Sequence, residues 1–183
     1  MRADARRNYD RLLTEAKSAF EKHGIDTSLD DIARQAGLGN ATLYRHFPTR
    51  ESLLEAMLRE SLEELGATAQ ELSSTVRPGA ALATWVGAAV EHATVYRGLV
   101  NMLMHGLKDE ASDLNHACTT MQASGEQLLV RAQHAGDIRP DITPAELFTL
   151  IAATAWAREN APDEAGRVLT VLLDGLRPIA GGR

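Results

Sequence analysis

The chain has 183 residues, 44% apolar and 24% charged, which is enough to bury a sizeable core in one or two small domains. Nineteen Lys and Arg against 25 Asp and Glu give a net charge of −6, which argues against a generally basic coat that grips nucleic acid over its whole surface. The single cysteine, Cys118, cannot form an intramolecular disulfide, no apolar run approaches the ~20 residues of a membrane span, and MRADARRNYD lacks a signal-peptide core; a reducing cytoplasm and no membrane are expected.

In chain order, Arg2, Arg6 and Arg7 form a basic arm before a helix expected from Arg7 to His23, with Tyr9, Leu12, Leu13, Ala16, Ala19 and Phe20 on its apolar side. Gly24 is expected to end it as a left-handed cap. The arm has two readings of equal standing, a phosphate contact or a solvated, frayed terminus. Ser28 to Arg50, SLDDIARQAGLGNATLYRHFPTR, then reads as two short helices about a glycine-bounded turn. Ser28 is expected to cap the first, with Asp31 in the capping-box position, and Asn40 to cap the second. Gly37-Leu38-Gly39 supplies positive-φ tolerance with an apolar plug, and Pro48 stops the second helix after Phe47.

At 100° per residue from Asn40, Leu43 and Phe47 fall together at roughly 300° to 340°, while Ala41, Thr42, Arg45 and His46 cover roughly 100° to 240°. Tyr44 lies at the boundary of the apolar side. From Ile32 to Arg50 stand Arg34, Arg45 and Arg50 with no acid, a local +3 inside an acidic chain. A short helix with an apolar back and a small, cationic, donor-rich front suits a major groove. Structural helical domains contain similar corners, so on the residues alone the two readings stand level.

The stretch LDDIARQAGLGNATLYRHFPTRESLL resembles the DNA-binding signature of the TetR family of transcriptional regulators, in spacing as well as composition. Ile32-Ala33, Ala36-Gly37, Leu43-Tyr44, His46-Phe47 and Arg50 stand where that pattern places them. It departs at Arg50, where many members carry lysine, and at Ala41, where glycine or proline is common. The resemblance implies an all-α protein, with a three-helix helix-turn-helix DNA-binding domain over 5–65 (motif about 28–47) and a helical-bundle ligand-binding and dimerisation domain over 66–183. It implies double-stranded DNA as partner, through a near-palindromic operator. Thr42 and His46 are expected on base edges or in the groove beside Asn40 and Ala41, Arg45 on bases or phosphate, and Ser28, Tyr44 and Arg50 on phosphates.

Thr49 is expected to cap a long fourth helix with an apolar stripe of Leu53, Leu54, Met57, Leu58, Leu62 and Leu65, and Gly66 with Arg77-Pro78-Gly79 marks a transition. Beyond it only helical patterns follow, at 79–95, 97–107, 112–135, 144–160 and 163–177. Gly136 follows a helix end, and Thr143-Pro144-Ala145-Glu146 combines an N-cap, a proline at the first helical position and a capping-box acid. In the last helix Val168, Leu169, Val171, Leu172, Leu173 and Leu176 span about 200°, twice what one buried face needs, which points to cover by a partner as well as by the chain's own core. The family resemblance implies the same, a homodimer through its last two helices, with Phe148, Ile151, Val168, Val171, Leu172 and Leu176 as interface candidates.

Trp85, His92, Met102, Met104, His105, Met121, Gln122, Phe148 and Trp156 are candidates for lining an effector cavity and equally for core filler. ATWVGAAVEHATVYRGLVNML and AGDIRPDITPAEL resemble the SbtR-like C-terminal domain, which names no ligand. Catalysis is not expected. His116 and Cys118 point about 200° apart on their helix, and no nucleophile elbow or phosphate loop is present. His92, His105, His116 and His134 lack i, i+4 pairing, so neither metal nor cofactor is expected. The functional expectation is a ligand-responsive repressor released from DNA by a small molecule, the alternative being a TetR-fold binding or scaffold protein without operator recognition.

Overall fold

The computed structural model describes residues 2–23, 27–102, 110 and 112–178. All regular structure among them is helical: α1 Arg2–His23, α2 Leu29–Gln35, α3 Asn40–His46, α4 Arg50–Thr75, α5 Pro78–Met102, α6 Asp113–His134, α7 Pro144–Asn160 and α8 Ala165–Gly175. The expected Gly24 cap and the part of the 97–107 helix past Met102 lie outside the described residues; up to Met102, α5 runs on without the break expected near residue 96. The chain divides into two compact units, Met1–Arg59 and Glu60–Arg183, so the division falls inside α4 and six residues before the boundary expected at 65.

The first unit is a three-helix head closed by the start of α4. Leu12, Leu13 and Ala16 of α1, Ile32 and Ala33 of α2, Leu43 of α3 and Leu53 and Leu54 of α4 are all buried, at the spacing the sequence implies. After α2 the backbone closes in a Schellman motif: Gly37 takes φ +66°, its N–H bonds Arg34 O at 3.0 Å, and Leu38 N–H bonds Ala33 O at 2.9 Å. Two expected caps differ. Ser28 occupies the N-cap of α2 but its side chain makes no capping bond, and Gly39 rather than Asn40 is the N-cap of α3, its carbonyl accepting from Thr42 at 2.8 Å. Once Gly37 has absorbed the turn, Gly39 is already extended at φ −78°, which places Asn40 in the first helical position. Thr49 caps α4 as expected, in a reciprocal pair with Ser52 (3.1 and 3.2 Å).

The second unit is held around Trp85 of α5, which is fully buried. Its indole N–H donates to Leu65 O of α4 at 3.0 Å, its ring meets Phe148 of α7 edge-on at 6.0 Å, and it lies over Gly125 of α6. A methyl group at Gly125 would come within 2.3 Å of the indole, so glycine is required by space. α6 ends in a second Schellman turn at Gly136 (φ +75°). Gln133 then bonds the carbonyls of Arg139 and Ile142, and Arg139 pairs with Asp141 through two bonds. Thr143 and Glu146 form the expected capping box ahead of Pro144, and the bonds from Thr143 hold the Glu146 carboxyl below its ordinary range.

Gly125→Ala is expected to destabilise the protein by about 1–3 kcal/mol through overpacking against Trp85. Gly87→Ala, where an added Cβ meets open space within α5, is expected to stabilise it by about 0.5–1 kcal/mol through helix propensity. Urea unfolding of the two variants checks both, and equal midpoints would refute the space requirement.

Candidate nucleic-acid interface

A helix of seven residues has little stability of its own. α3 is fastened by Leu43 and, just beyond its end, Phe47, both buried to within 2%. With those anchors inward, Asn40, Ala41, Tyr44 and Arg45 are exposed and Thr42 half-exposed, so five of the eight expected DNA contacts share one solvent-facing helix surface. Arg45 forms no ion pair among the described residues. Arg34, counted in the local +3, is paired with Asp31 at 2.6 Å, which offsets part of that charge.

The other three expected contacts sit differently. Arg50 donates from Nη1 to Thr27 O at 2.8 Å, which brings the N-terminus of α4 beside Ser28, itself exposed. Tyr44, one of the five, has its hydroxyl 3.4 Å from Asp30 of α2. His46 is turned inward: its ring stands edge-on to Tyr9 at 6.0 Å, and Nε2 is buried without a hydrogen bond. A base contact through Nε2 therefore requires the ring to turn out. Composition separates the units as well. Residues 1–59 carry ten basic and nine acidic side chains, whereas residues 60–183 carry nine and sixteen. Net charge thus favours DNA phosphates at the head over the rest of the chain.

The effector candidates are not gathered into one place. Trp85 and Phe148 meet in the core, Met121 is buried on α6, Gln122 is exposed and Trp156 is 51% exposed. Met104 and His105 and the side chain of Met102 lie outside the described residues. Of the candidates, Met121 lines a small groove of about 260 Å³ with Leu62, Gly66, Gln70, His116 and Thr120. A larger groove of about 890 Å³, between the start of α5, the Gly136 turn and the end of α8, contains none of them. Among the dimer candidates, Ile151, Leu172 and Leu176 are buried in the chain's own core and Phe148 packs on Trp85; Val168 is half-exposed and Val171 62% exposed. Leu150 and Trp156 of α7, outside the expected interface, are exposed large apolar side chains.

Residues 12–57 match the model of bacterial regulatory proteins of the tetR family, and residues 77–178 match the C-terminal domain of SbtR-like transcriptional regulators. The chain belongs to the TetR family of transcriptional regulators. A TetR transcriptional regulator of Streptomyces coelicolor is 34% identical and superposes with a TM-score of 0.76, covering 94% of this chain and 99% of that one. A TetR regulatory protein of Mycobacterium vanbaalenii is 33% identical, with a TM-score of 0.73 over 97% and 99%. The transcriptional repressor KstR2 of Mycolicibacterium smegmatis is 25% identical over 190 residues, 95% of this chain and 93% of that protein. These relatives are transcription regulators rather than enzymes. As a TetR regulator the chain is a helix-turn-helix DNA-binding protein with an SbtR-like C-terminal domain. Among its described residues no helix is long and apolar enough to cross a membrane.

Burial lowers the pKa of His92, on α5, from 6.5 to about 4. The unfolded chain then takes up a proton below pH 6.5 that the folded chain refuses, so stability present above pH 6.5 is lost as pH falls towards 4. Between pH 7 and pH 5 the parent is expected to lose about 1–2 kcal/mol more than His92→Gln in urea unfolding. Identical losses would show that His92 titrates freely.

Proposed function

We propose that the protein is a homodimeric repressor that binds a near-palindromic operator when free and releases it when a small apolar or amphipathic molecule occupies the second unit. The observation that carries the reading is the exposed Asn40-to-Arg45 surface of α3 on its buried Leu43 and Phe47 anchors. Thr42 and Arg45 are assigned to base edges with Asn40 and Ala41 beside them, and Ser28, Tyr44 and Arg50 to phosphates. His46 belongs to the same assignment once its ring turns outward. The relative KstR2 is a repressor by name, and the regulator LfrR of Mycobacterium smegmatis, which shares the fold at 19% identity, was solved in complex with proflavine. Coupling would run along α4, which begins at Arg50 in the head and continues to Thr75, with typically 1–3 kcal/mol between the states favoured by effector and operator.

The dimer is assigned to Leu150 and Trp156 of α7 with Val168 and Val171 of α8, which are among the apolar side chains there that the chain's own core leaves partly or largely uncovered. Two heads then address half-sites about 34 Å apart or somewhat more. Trp156→Asp combined with Val171→Asp is expected to give monomer at micromolar concentration by sedimentation with helix content unchanged, and a dimer that persists would remove this assignment.

Footprinting over the DNA upstream of its own and the adjacent gene tests the reading directly, since a protein that keeps the fold without operator recognition protects no segment. On a protected segment, Arg50→Ala is expected to weaken specific and mixed-sequence DNA alike and lower the salt slope by about one. Thr42→Ala is expected to cost about 1–3 kcal/mol on the operator alone. Equal losses on both DNAs from Thr42→Ala would overturn the division between base and phosphate contacts.

A further inference from the structure

Tyr9 has four groups arranged around it, contributed by three helices and the residue that follows α3. The Phe47 ring lies 5.0 Å away and the His46 ring 6.0 Å away, edge-on; the Arg6 guanidinium stands 5.7 Å over the Tyr9 ring, and Arg59 Nη2 donates to its hydroxyl at 2.9 Å. α3 contributes one fully buried side chain of its own, Leu43, near its middle. The angle of its last turn therefore depends on what holds His46 and Phe47, and the ring of Tyr9 touches both. The ring is held in turn at its far end, where the hydroxyl is tied to α4 fifty residues on.

We propose that Tyr9, which lies outside the helix-turn-helix, is a specificity-determining positioning residue for DNA reading, its ring braced by Arg59 so as to set the last turn of α3. The inference rests on the assignment of base reading to α3. A seven-residue helix is about 10 Å long, so a swing of roughly 10° moves one end by nearly 2 Å relative to the other. A hydrogen bond to a base edge tolerates far less than that, whereas phosphate contacts through long cationic side chains follow the shift. Loss of the brace should thus lower discrimination between sequences and leave general DNA affinity nearly intact. That pattern separates positioning from mere support, because a head that unfolds loses both.

The test uses the full chain, the segment protected in the footprint and a mixed-sequence duplex of equal length. Tyr9→Phe keeps the ring and removes the hydroxyl; the ratio of specific to mixed-sequence affinity is expected to fall about fivefold, the worth of one hydrogen bond. Tyr9→Leu also removes the ring and is expected to lower the ratio at least about tenfold. Mixed-sequence affinity stays within about twofold in both. In the DNA-free protein the His46 ring proton resonances, assigned through His46→Gln, are expected to shift in Tyr9→Leu, where the aromatic neighbour is lost, and to stay near their parent positions in Tyr9→Phe. Unmoved His46 resonances in Tyr9→Leu would overturn the contact. A protected segment whose ratio is unchanged in both variants would overturn the positioning role alone. Absence of any protected segment would overturn the DNA reading itself and the inference with it. Should Tyr9→Leu fail to fold, Tyr9→Phe decides the matter.

Discussion

The head depends on one constraint: a seven-residue helix must be held rigid by side chains that are then unavailable for recognition. Leu43 and Phe47 meet it at the back of α3 and the Gly37 turn meets it at the front, where positive φ lets the backbone reverse within three residues. The positive φ at Gly37 favours glycine there through backbone conformation, since the atom nearest an added Cβ is the mobile end of the exposed Arg11 side chain. What remains outward is a narrow strip from Asn40 to Arg45. Small residues at its start, Asn40, Ala41 and Thr42, allow close approach to a groove, and the larger Tyr44 and Arg45 reach to its sides.

The second unit solves a different problem with one large side chain. Trp85 fills the space over Gly125 and bonds the carbonyl of Leu65, an oxygen within the α4 helix itself. A tryptophan buried with its N–H satisfied adds area and direction together, so α4, α5, α6 and α7 are fixed to a common point. One residue further along α4, a Cβ added at Gly66 would stand in ordinary van der Waals contact with the Met121 backbone of α6, so α4 and α6 lie close together there. The C-terminal part of α4 is thereby held by contacts that a shift of α5 or α6 must disturb. A tightly packed centre of this kind moves between discrete arrangements more readily than it deforms, which is the physical requirement for a helix that reports occupancy.

Much of the head was legible because its signals are local. The spacing of Leu43 and Phe47, the glycine turn and the Thr49 cap each follow from a few neighbouring residues, as does the Thr143–Glu146 box of the second unit. The misplaced caps at Ser28 and Asn40 show where locality fails. A serine can occupy the N-cap with its hydroxyl turned away, and a glycine one residue earlier can take the extended conformation as well as an asparagine. His46 was read from its angle on an isolated helix, and its inward turn comes from Tyr9, thirty-seven positions earlier, which helical periodicity marks only as one more apolar residue. The last helix was read as covered on both sides. On one side its own chain does cover it, since Leu172 and Leu176 are core, while Val171 is left exposed, a division that depends on how the helices pack. The effector candidates were chosen by residue type, and type alone does not distinguish a wall from a filler, as the separation of core Trp85 from exposed Trp156 makes plain.

The charge distribution carries a consequence for how such a protein must bind. A head of nearly balanced charge, whose one α3 arginine forms no ion pair among the described residues, offers few net positive charges for counterion release. The surplus of acid in residues 60–183 weakens non-specific attraction further. In the proposed dimer, two heads joined through a body would convert the second encounter into an intramolecular one, at millimolar effective concentration for a span that matches the half-site spacing. The same arithmetic makes the spacing a control point. Under that proposal, a change of a few ångströms between heads would leave each reading surface intact and remove the advantage of holding both at once, so a weakly charged pair of heads would be more easily released than one that clings to DNA by charge.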